Sequence, residues 1–416
     1  MMRISSSAIY DANVAALGQQ QTNLLKTQQQ VATGRRMQTA SDDPVAAARA
    51  ISVNQADAMN TQYGANRTAL RHTLSLAESN LQSVTYLLQD VQVAAVNAGN
   101  GALSTIDRHT MATELSGKLQ ELIGFANSTD GVGNYLFSGF QSQTPPFADV
   151  AGVITYNGDD GQRLMQANAS RQIASSDSGA DVFMRVKNGN GTFVTQPGVR
   201  VAAPVGANIG TGIISPGIVT DPAALETGNS YTISFSVSAV TGATSYTVTG
   251  APTALAPAMA GVAYVSGQAI SFKGIRFDIQ GAPADGDIFT VTPSANESIF
   301  KTVSDLIAAL NAPVPTAAAG GTTSLTNSLS RGLKNLDNAL NNVLSIRSSL
   351  GLRLQEVDAL QTAGDDLGLQ FKETLSQLQD VDPYKAYSDL AQQNTTLQAS
   401  LKSFAAVSDL SLFNYI

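Results

Sequence analysis

Residues 68–98 read TALRHTLSLAESNLQSVTYLLQDVQVAAVNA. Within them Leu70, Leu74, Ala77, Leu81, Val84, Leu88, Val91 and Ala95 recur at alternating intervals of four and three residues. Apolar residues at that spacing share one helix face and make a coiled-coil seam. The helix that carries them is expected to run from Pro44 to about Asn97. Asp43-Pro44 reads as its N-cap and first helical residue, where proline's missing N–H costs nothing.

A partner seam lies far along the chain. Leu333, Leu336, Leu340, Val343, Leu350, Leu354 and Val357 keep the same spacing. The phase continues to Phe371, Leu375 and Leu378 through Gln361, Gly364 and Gly368. Asp382-Pro383 is a second cap-plus-proline pair, with Asp382 as N-cap of a last helix. Leu390, Leu397, Leu401 and Phe404 are expected on one face of that helix. At the other end Val14, Leu17, Leu24 and Val31 form a seam interrupted by Gln21 and Gln28, closed by Gly34 as C-cap. Met111, Leu115, Leu119, Leu122 and Ala126 mark a shorter helix between. The chain closes on Leu410-Ser411-Leu412-Phe413-Asn414-Tyr415-Ile416, an apolar tail.

Between the two helical arms the period changes. Twelve of the 14 prolines fall between Pro145 and Pro315. Tyr231, Ile233, Phe235 and Val237 alternate with polar residues, as in a half-buried strand. Ile270 and Phe272, then Ile275, Phe277 and Ile279, flank a phase slip at Lys273-Gly274. Asn157-Gly158, Asn188-Gly189 and Asp285-Gly286 are hairpin-type turn pairs. Ser298 to Leu310 reads as a short amphipathic helix, and 311–321 as a linker.

The fold class expected is therefore α+β: a long antiparallel coiled-coil bundle formed by both termini, with an inserted antiparallel β domain. The expected division is 1–40 with 382–416, 41–150 with 298–381, and an insert at 151–297 of one or two subdomains. The insert reads as a self-contained strand region able to project outward. The polar terminal seams predict that both extreme helices are loose in the free chain and order only in an assembly.

Composition narrows the function. Net charge is −8 with no long basic run, which argues against nucleic acid. Charged residues are 13% of the chain, against about 25% in ordinary soluble proteins. That fits either a weakly charged secreted surface or arms buried against other copies. The chain has no cysteine, which excludes disulfides and thiolate metal sites. Met1 to Ser7 contains no apolar signal core, so any export is expected to use a route that reads no cleaved signal. No apolar run reaches the length of a membrane span.

Catalytic chemistry is not expected. His72 and His109 are single histidines on helices, and packing or surface roles suit them better than catalysis or metal binding. No nucleophile elbow, Walker loop or zinc-protease motif occurs. Gly210-Thr211-Gly212 lies among strands with no helix to follow. Asp159-Asp160 and Asp285-Gly286-Asp287 lack the ligand count of a calcium loop and read as turns. No cofactor is expected.

Particular motifs carry a resemblance. Thr33-Gly34-Arg35-Arg36 followed by Ser41-Asp42-Asp43-Pro44 resembles the N-terminal region of the flagellin-like family. Asn134-Tyr135-Leu136-Phe137-Ser138-Gly139-Phe140, then Thr144-Pro145-Pro146-Phe147 and Tyr156-Asn157-Gly158-Asp159, resembles its hook-associated branch. So do Gly351-Leu352-Arg353-Leu354, Lys372-Glu373-Thr374-Leu375-Ser376, Val381-Asp382 and the closing apolar tail. The resemblance covers residues 1–140 and 325–416.

It implies a non-enzymatic adaptor of the bacterial flagellum. Such an adaptor assembles with itself as a ring between hook-associated protein type 1 and flagellin. It leaves the cell through the flagellar type III export apparatus, after a cytoplasmic export chaperone has held its C-terminal helix. The implied assembly residues are Val14, Leu17, Leu24, Val31, Leu390, Leu397, Leu401, Phe404, Leu412 and Phe413. A flagellin filament subunit is the alternative within the family, and a secreted β-domain adhesin on a coiled-coil stalk the alternative outside it.

Overall fold

The computed structural model describes residues 6–203, 205–226, 228–313 and 321–413, with side chains left out at 6, 7, 9 and 407–413. Among the described residues six α-helices hold the two arms: α1 (Ser6–Thr33), α2 (Pro44–Ala98), α3 (Thr105–Ala126), α4 (Ile299–Asn311), α5 (Thr323–Gln379) and α6 (Pro383–Phe413). Strands lie between α3 and α4. The chain is a bundle of long antiparallel terminal helices with an inserted antiparallel β domain. Among the described residues no helix is long and apolar enough to cross a membrane. The tail residues Leu412 and Phe413, as side chains, and Asn414 to Ile416 lie outside the described residues, as does most of the expected linker.

By packing the chain forms two compact units, residues 1–67 with 359–416, and residues 68–358. In the first, α1 and α6 lie along each other, and α2 meets α5 through side chains such as Asn60 and Arg67. Asp43 Oδ1 accepts the Ala46 N–H at 3.0 Å, and Asp382 Oδ1 accepts that of Tyr384 at 3.0 Å. Each cap satisfies a donor that the first turn of a helix leaves open.

The second unit contains the main core. Leu70, Leu74, Ala77, Leu81, Val84, Leu88, Val91 and Ala95 are all buried. Facing them on α5, Leu336, Val343, Leu350 and Val357 are buried, but the intervening places belong to Gly332 and Ala339 instead of Leu333 and Leu340. The cause is α4. A Cβ on Gly332 would lie 2.4 Å from Leu306 Cδ2, so the small residue lets α4 close on α5. Phe300 of α4 joins Phe147 and Phe183 in a cluster with ring centroids 5.1–5.7 Å apart. Edge-to-face and offset pairs at such distances are favourable beyond the area they bury.

The insert holds a five-stranded antiparallel sheet ordered 259–263, 244–251, 230–237, 288–293 and 193–197. A smaller sheet pairs 269–272 with 275–280, and 275–280 with 213–214 and 218–219. Tyr231, Ile233, Phe235 and Phe289 from one sheet share a core with Ile270, Phe272, Ile275 and Phe277 from the other. Lys273-Gly274 closes a two-residue hairpin with φ of +47° and +73°, and Ala151-Gly152 closes another with +55° and +84°. The three turn pairs singled out by sequence sit elsewhere: none of Asn157-Gly158, Asn188-Gly189 and Asp285-Gly286 joins two strands that pair with each other. They link strands of different sheets, and among their glycines Gly189 and Gly286 take positive φ, +62° and +79°.

Candidate assembly sites

The α1–α6 seam is shifted from the one the sequence suggested. Leu17, Leu24 and Val31 are half-buried, as are Leu390, Leu397 and Phe404. Val14 and Leu401 are each 45% exposed. The 4-3 ladder passes on the other side of the leucine line: Gln20 and Thr27 occupy the alternate places on α1, not Gln21 and Gln28. On α6 the matching places go to Ala386, Gln393 and Ser400. The ring centroids of Tyr10 and Phe404 are 5.4 Å apart. Among the described side chains only Thr27 on α1 and Ala386 on α6 are fully buried.

Gln20 and Gln393 each bury a carboxamide oxygen that has no hydrogen-bond partner among the described residues. An unmet acceptor of this kind costs about 1–3 kcal/mol. Both residues border a cavity of 290 Å³ with Asn23, Asp389, Gln392 and Thr396.

The loop after α1 is stitched to the end of α5. Gly34, at φ +71°, ends α1 and accepts the Val381 N–H through its carbonyl at 2.9 Å. The Arg36 N–H donates to the Gln379 carbonyl at 2.7 Å, and Arg36 Nη2 to the Leu378 carbonyl at 2.9 Å. Arg36 also meets Asp43 at 3.3 Å. Asp42 accepts from Gln38, Thr39 and Lys26, and the Lys26 ammonium beside it holds its carboxyl far below the ordinary carboxylate range. So the Thr33–Pro44 motif and the Val381-Asp382 motif form one turn structure.

In the same unit Arg67 is only 3% exposed. Its Nε donates to Gln361 Oε1 at 3.0 Å, and a Cβ on Gly364 would lie 2.2 Å from Arg67 Nη2. Asn60 donates to the Gly364 carbonyl at 2.7 Å. Burial lowers the Arg67 pKa, with Asp365 opposing.

In the second unit the Asn134–Phe140 motif folds onto the 156–161 turn. Asp159 Oδ1 accepts the N–H groups of Phe140, at 2.9 Å, and Gly161, at 2.8 Å. The Tyr156 hydroxyl lies 3.0 Å from the Phe137 carbonyl and 2.8 Å from that of Asp159, and burial raises its pKa. A Cβ on Gly139 would lie 2.1 Å from Asp159, and one on Gly161 2.1 Å from the Phe140 ring. These glycines are required by close approach. The Phe140 ring is held in place by these contacts yet remains largely exposed.

One set of residues was missed at the sequence level. Asn327, Arg331, Asn335, Asn338 and Asn342 form a stripe on α5 that grips the insert. Asn327 accepts from Ile214 N–H and donates to the Gly212 carbonyl, both at 3.0 Å. Asn335 accepts from Gly189 N–H and donates to Glu297, both at 2.9 Å. Arg331 reaches Gln196, Asn338 the carbonyls of Lys187 and Gly189, and Asn342 those of Asp181 and Val182. Further along, Arg353 binds Asp177 at 2.5 Å, and Glu356 pairs with both Arg171 donors. The insert is therefore tied to α5 by side chains along this stripe. The signal was present as asparagine, a poor helix former, repeated at helical spacing.

His109 Nδ1 lies 2.7 Å from Asn311 Oδ1 and bridges α3 to α4. Among the described residues no cluster of His, Asp or Glu could hold a metal ion.

Long terminal helices joined by a cross-chain turn, with strands inserted between, define a flagellin-like protein. The bacterial flagellin N-terminal helical region matches residues 4–142 and the C-terminal helical region matches residues 333–416. The flagellar hook-associated protein 3 of Escherichia coli K12 is 29% identical over 412 residues, 99% of each chain. The crystal structure of flagellar hook-associated protein 3 from Legionella pneumophila is 32% identical, with a TM-score of 0.72 over 78% of this chain and 98% of that one. FlgL from Xanthomonas campestris is 28% identical, with a TM-score of 0.69 over 78% and 99%. The chain belongs to the flagellar hook-associated protein 3 family.

Proposed function

We propose that this chain is the structural adaptor of the hook–filament junction, assembled as a ring of copies between hook-associated protein type 1 and the first flagellin subunits. It has no enzymatic role. The observation that carries the reading is the correspondence with hook-associated protein 3 along 99% of both chains. A second Legionella pneumophila structure, 32% identical, is that of the flagellar junction protein FlgL, and this favours the reading over a flagellin.

The α1–α6 seam supports it physically. Val14, Leu25, Tyr384, Tyr387 and Leu401 remain exposed on these two helices, and neither helix buries much of its apolar surface. Helices this weakly packed gain most of their stability from tertiary partners. Copies laid side by side supply such partners. Before assembly the same apolar surface calls for a cytoplasmic export chaperone on α6, and export proceeds through the flagellar type III apparatus to the extracellular flagellum.

The test is complementation of a deletion strain. The wild-type chain restores swimming and keeps flagellin on the cell. Leu401→Asp places a charge on an outer position of α6 and is expected to shed flagellin into the medium while hooks persist. A deletion strain that retains full filaments would sink the reading.

A further inference from the structure

Gln20 and Gln393 hold seam positions that leucines fill one turn away on either side, at Leu17 and Leu24 and at Leu390 and Leu397. Their carboxamide oxygens are buried without a partner among the described residues. Both side chains border the 290 Å³ cavity between α1 and α6. Gln20 also borders a second cavity, of 190 Å³, beside Ser400 and Ser403. Asn23, Gln392 and Thr396 around the first space are exposed, so it is a groove open along one side of the helix pair. A polar residue at a seam position specifies register and the number of helices, at a cost in stability.

We infer that Gln20 and Gln393 are the specificity determinants for a third helix: a terminal helix of a second copy of this chain lays an amide side chain into the cavity and pairs with both carboxamides. The inference rests on the junction reading above and names the residues by which copies select one another. A carboxamide both donates and accepts, so an amide-lined surface is complementary to itself. The surface offered by a second copy has this chemistry. From Gln19 to Gln30, α1 carries seven glutamines and asparagines and one charge, Lys26; from Leu390 to Ser400, α6 carries no charge. Asp389 at the cavity edge accepts an amide N–H without repelling it. A half-turn of either glutamine about its last single bond exchanges oxygen and nitrogen and brings the oxygen out to meet an incoming amide N–H.

The test uses the full chain with Gln20→Met and Gln393→Met together, which keep side-chain length and remove the amides. In the isolated protein the midpoint for melting of α1 and α6 is expected to rise. In the deletion strain the same chain is expected to release several-fold more flagellin than wild type. A variant that attaches filaments as wild type does, or whose terminal helices melt earlier, overturns the inference.

Capture of the neighbour gives a second reading that does not depend on the variant's folding. Asn23→Cys introduces a single thiol into a chain that has none, and carries a maleimide–diazirine crosslinker. Irradiated flagella are expected to yield a crosslink from Asn23→Cys to α1 or α6 of another copy. A crosslink to flagellin or another protein alone, or none in assembled flagella, overturns it. Failure of the junction reading is distinguishable, since the wild-type chain would then not restore filament attachment at all.

Discussion

Arg36 donates from Nη2 to the carbonyl of Leu378 at 2.9 Å, closing a contact across 342 residues of chain. The same arginine meets Asp43, the residue whose side chain caps α2. The loop after α1 and the turn before α6 are thus held by one side chain. Arg36→Ala is expected to lower the stability of this unit by about 1 kcal/mol, because the group is partly exposed. Limited proteolysis should then cut within residues 34–43 sooner than in wild type. An unchanged cleavage pattern and melting curve would show that the backbone bonds of Gly34 and Arg36 suffice.

Gly364→Ala tests the Arg67 layer. Alanine favours the helix over glycine by about 1 kcal/mol. Here its Cβ would lie 2.2 Å from Arg67 Nη2, and Arg67 is buried and bonded to Gln361. The clash should outweigh propensity, with a net loss of about 1–3 kcal/mol. Thermal melting of Gly364→Ala decides the sign, and a stabilised protein would mean that Arg67 moves aside freely.

Much of this architecture was legible in the sequence. The α2 seam from Leu70 to Ala95 is continuous and apolar, so its period leaves one choice of buried face. Strand alternation at Tyr231–Val237 and Ile275–Ile279 is equally plain. The α1 and α6 seams were displaced because glutamine, threonine and serine fill half of their positions. Leu17, Leu24 and Val31 then fit two adjacent ladders equally well, and hydropathy does not choose between Gln20 and Gln21. The grip of Asn327 and Asn335 on the insert was harder to read: asparagine at helical spacing marks the stripe, but most of the partners are backbone groups of Gly189, Gly212 and Ile214, which leave no side-chain signature.

Acid should weaken the protein in a defined direction. The Arg171 guanidinium beside Glu356 lowers its pKa, Arg185 lowers that of Asp160, and Lys273 that of Glu226. A carboxylate whose folded pKa lies below its unfolded value adds stability above the unfolded pKa and loses it as pH falls through the folded one. Melting temperature should hold from neutrality to about pH 5 and fall below about pH 4. Glu356→Gln should be slightly less stable at neutral pH and show a shallower acid fall. Parallel curves for the two proteins would remove Glu356 from the account.

Leu397 and Leu401 separate packing within the chain from contacts outside it. Leu397 faces α1, whereas Leu401 is largely exposed. Leu397→Asp should free α6 in the isolated chain at a cost of about 2 kcal/mol. Brief proteolysis should then remove both terminal helices faster than in wild type and leave a core that begins near Pro44. Leu401→Asp should leave that digestion rate unchanged and act only on filament attachment. Equal digestion of the two variants would erase the distinction.

The grip of α5 on the insert bears on how far the two can be parted. Asn335 is nearly fully buried and joins Gly189 N–H to the Glu297 carboxylate. Asn335→Ala leaves the Gly189 N–H without its partner, at a cost of about 1–3 kcal/mol, while Glu297 still accepts from Asn188 and Thr302. Asn335→Asp keeps an acceptor for Gly189 but sets a second carboxylate against Glu297, so it should be at least as damaging at neutral pH and recover partly in mild acid. Deleting 188–292 removes the partners of Asn327 and Arg331 and the Gly189 partner of Asn335, and leaves Glu297 in place. The shortened chain is therefore expected to melt earlier in residues 68–358, even if the terminal helices still assemble. Melting followed by tryptophan substituted at Phe300 reports on this unit alone. A deletion protein with the wild-type transition would mean that water replaces the lost partners of the asparagine stripe without loss.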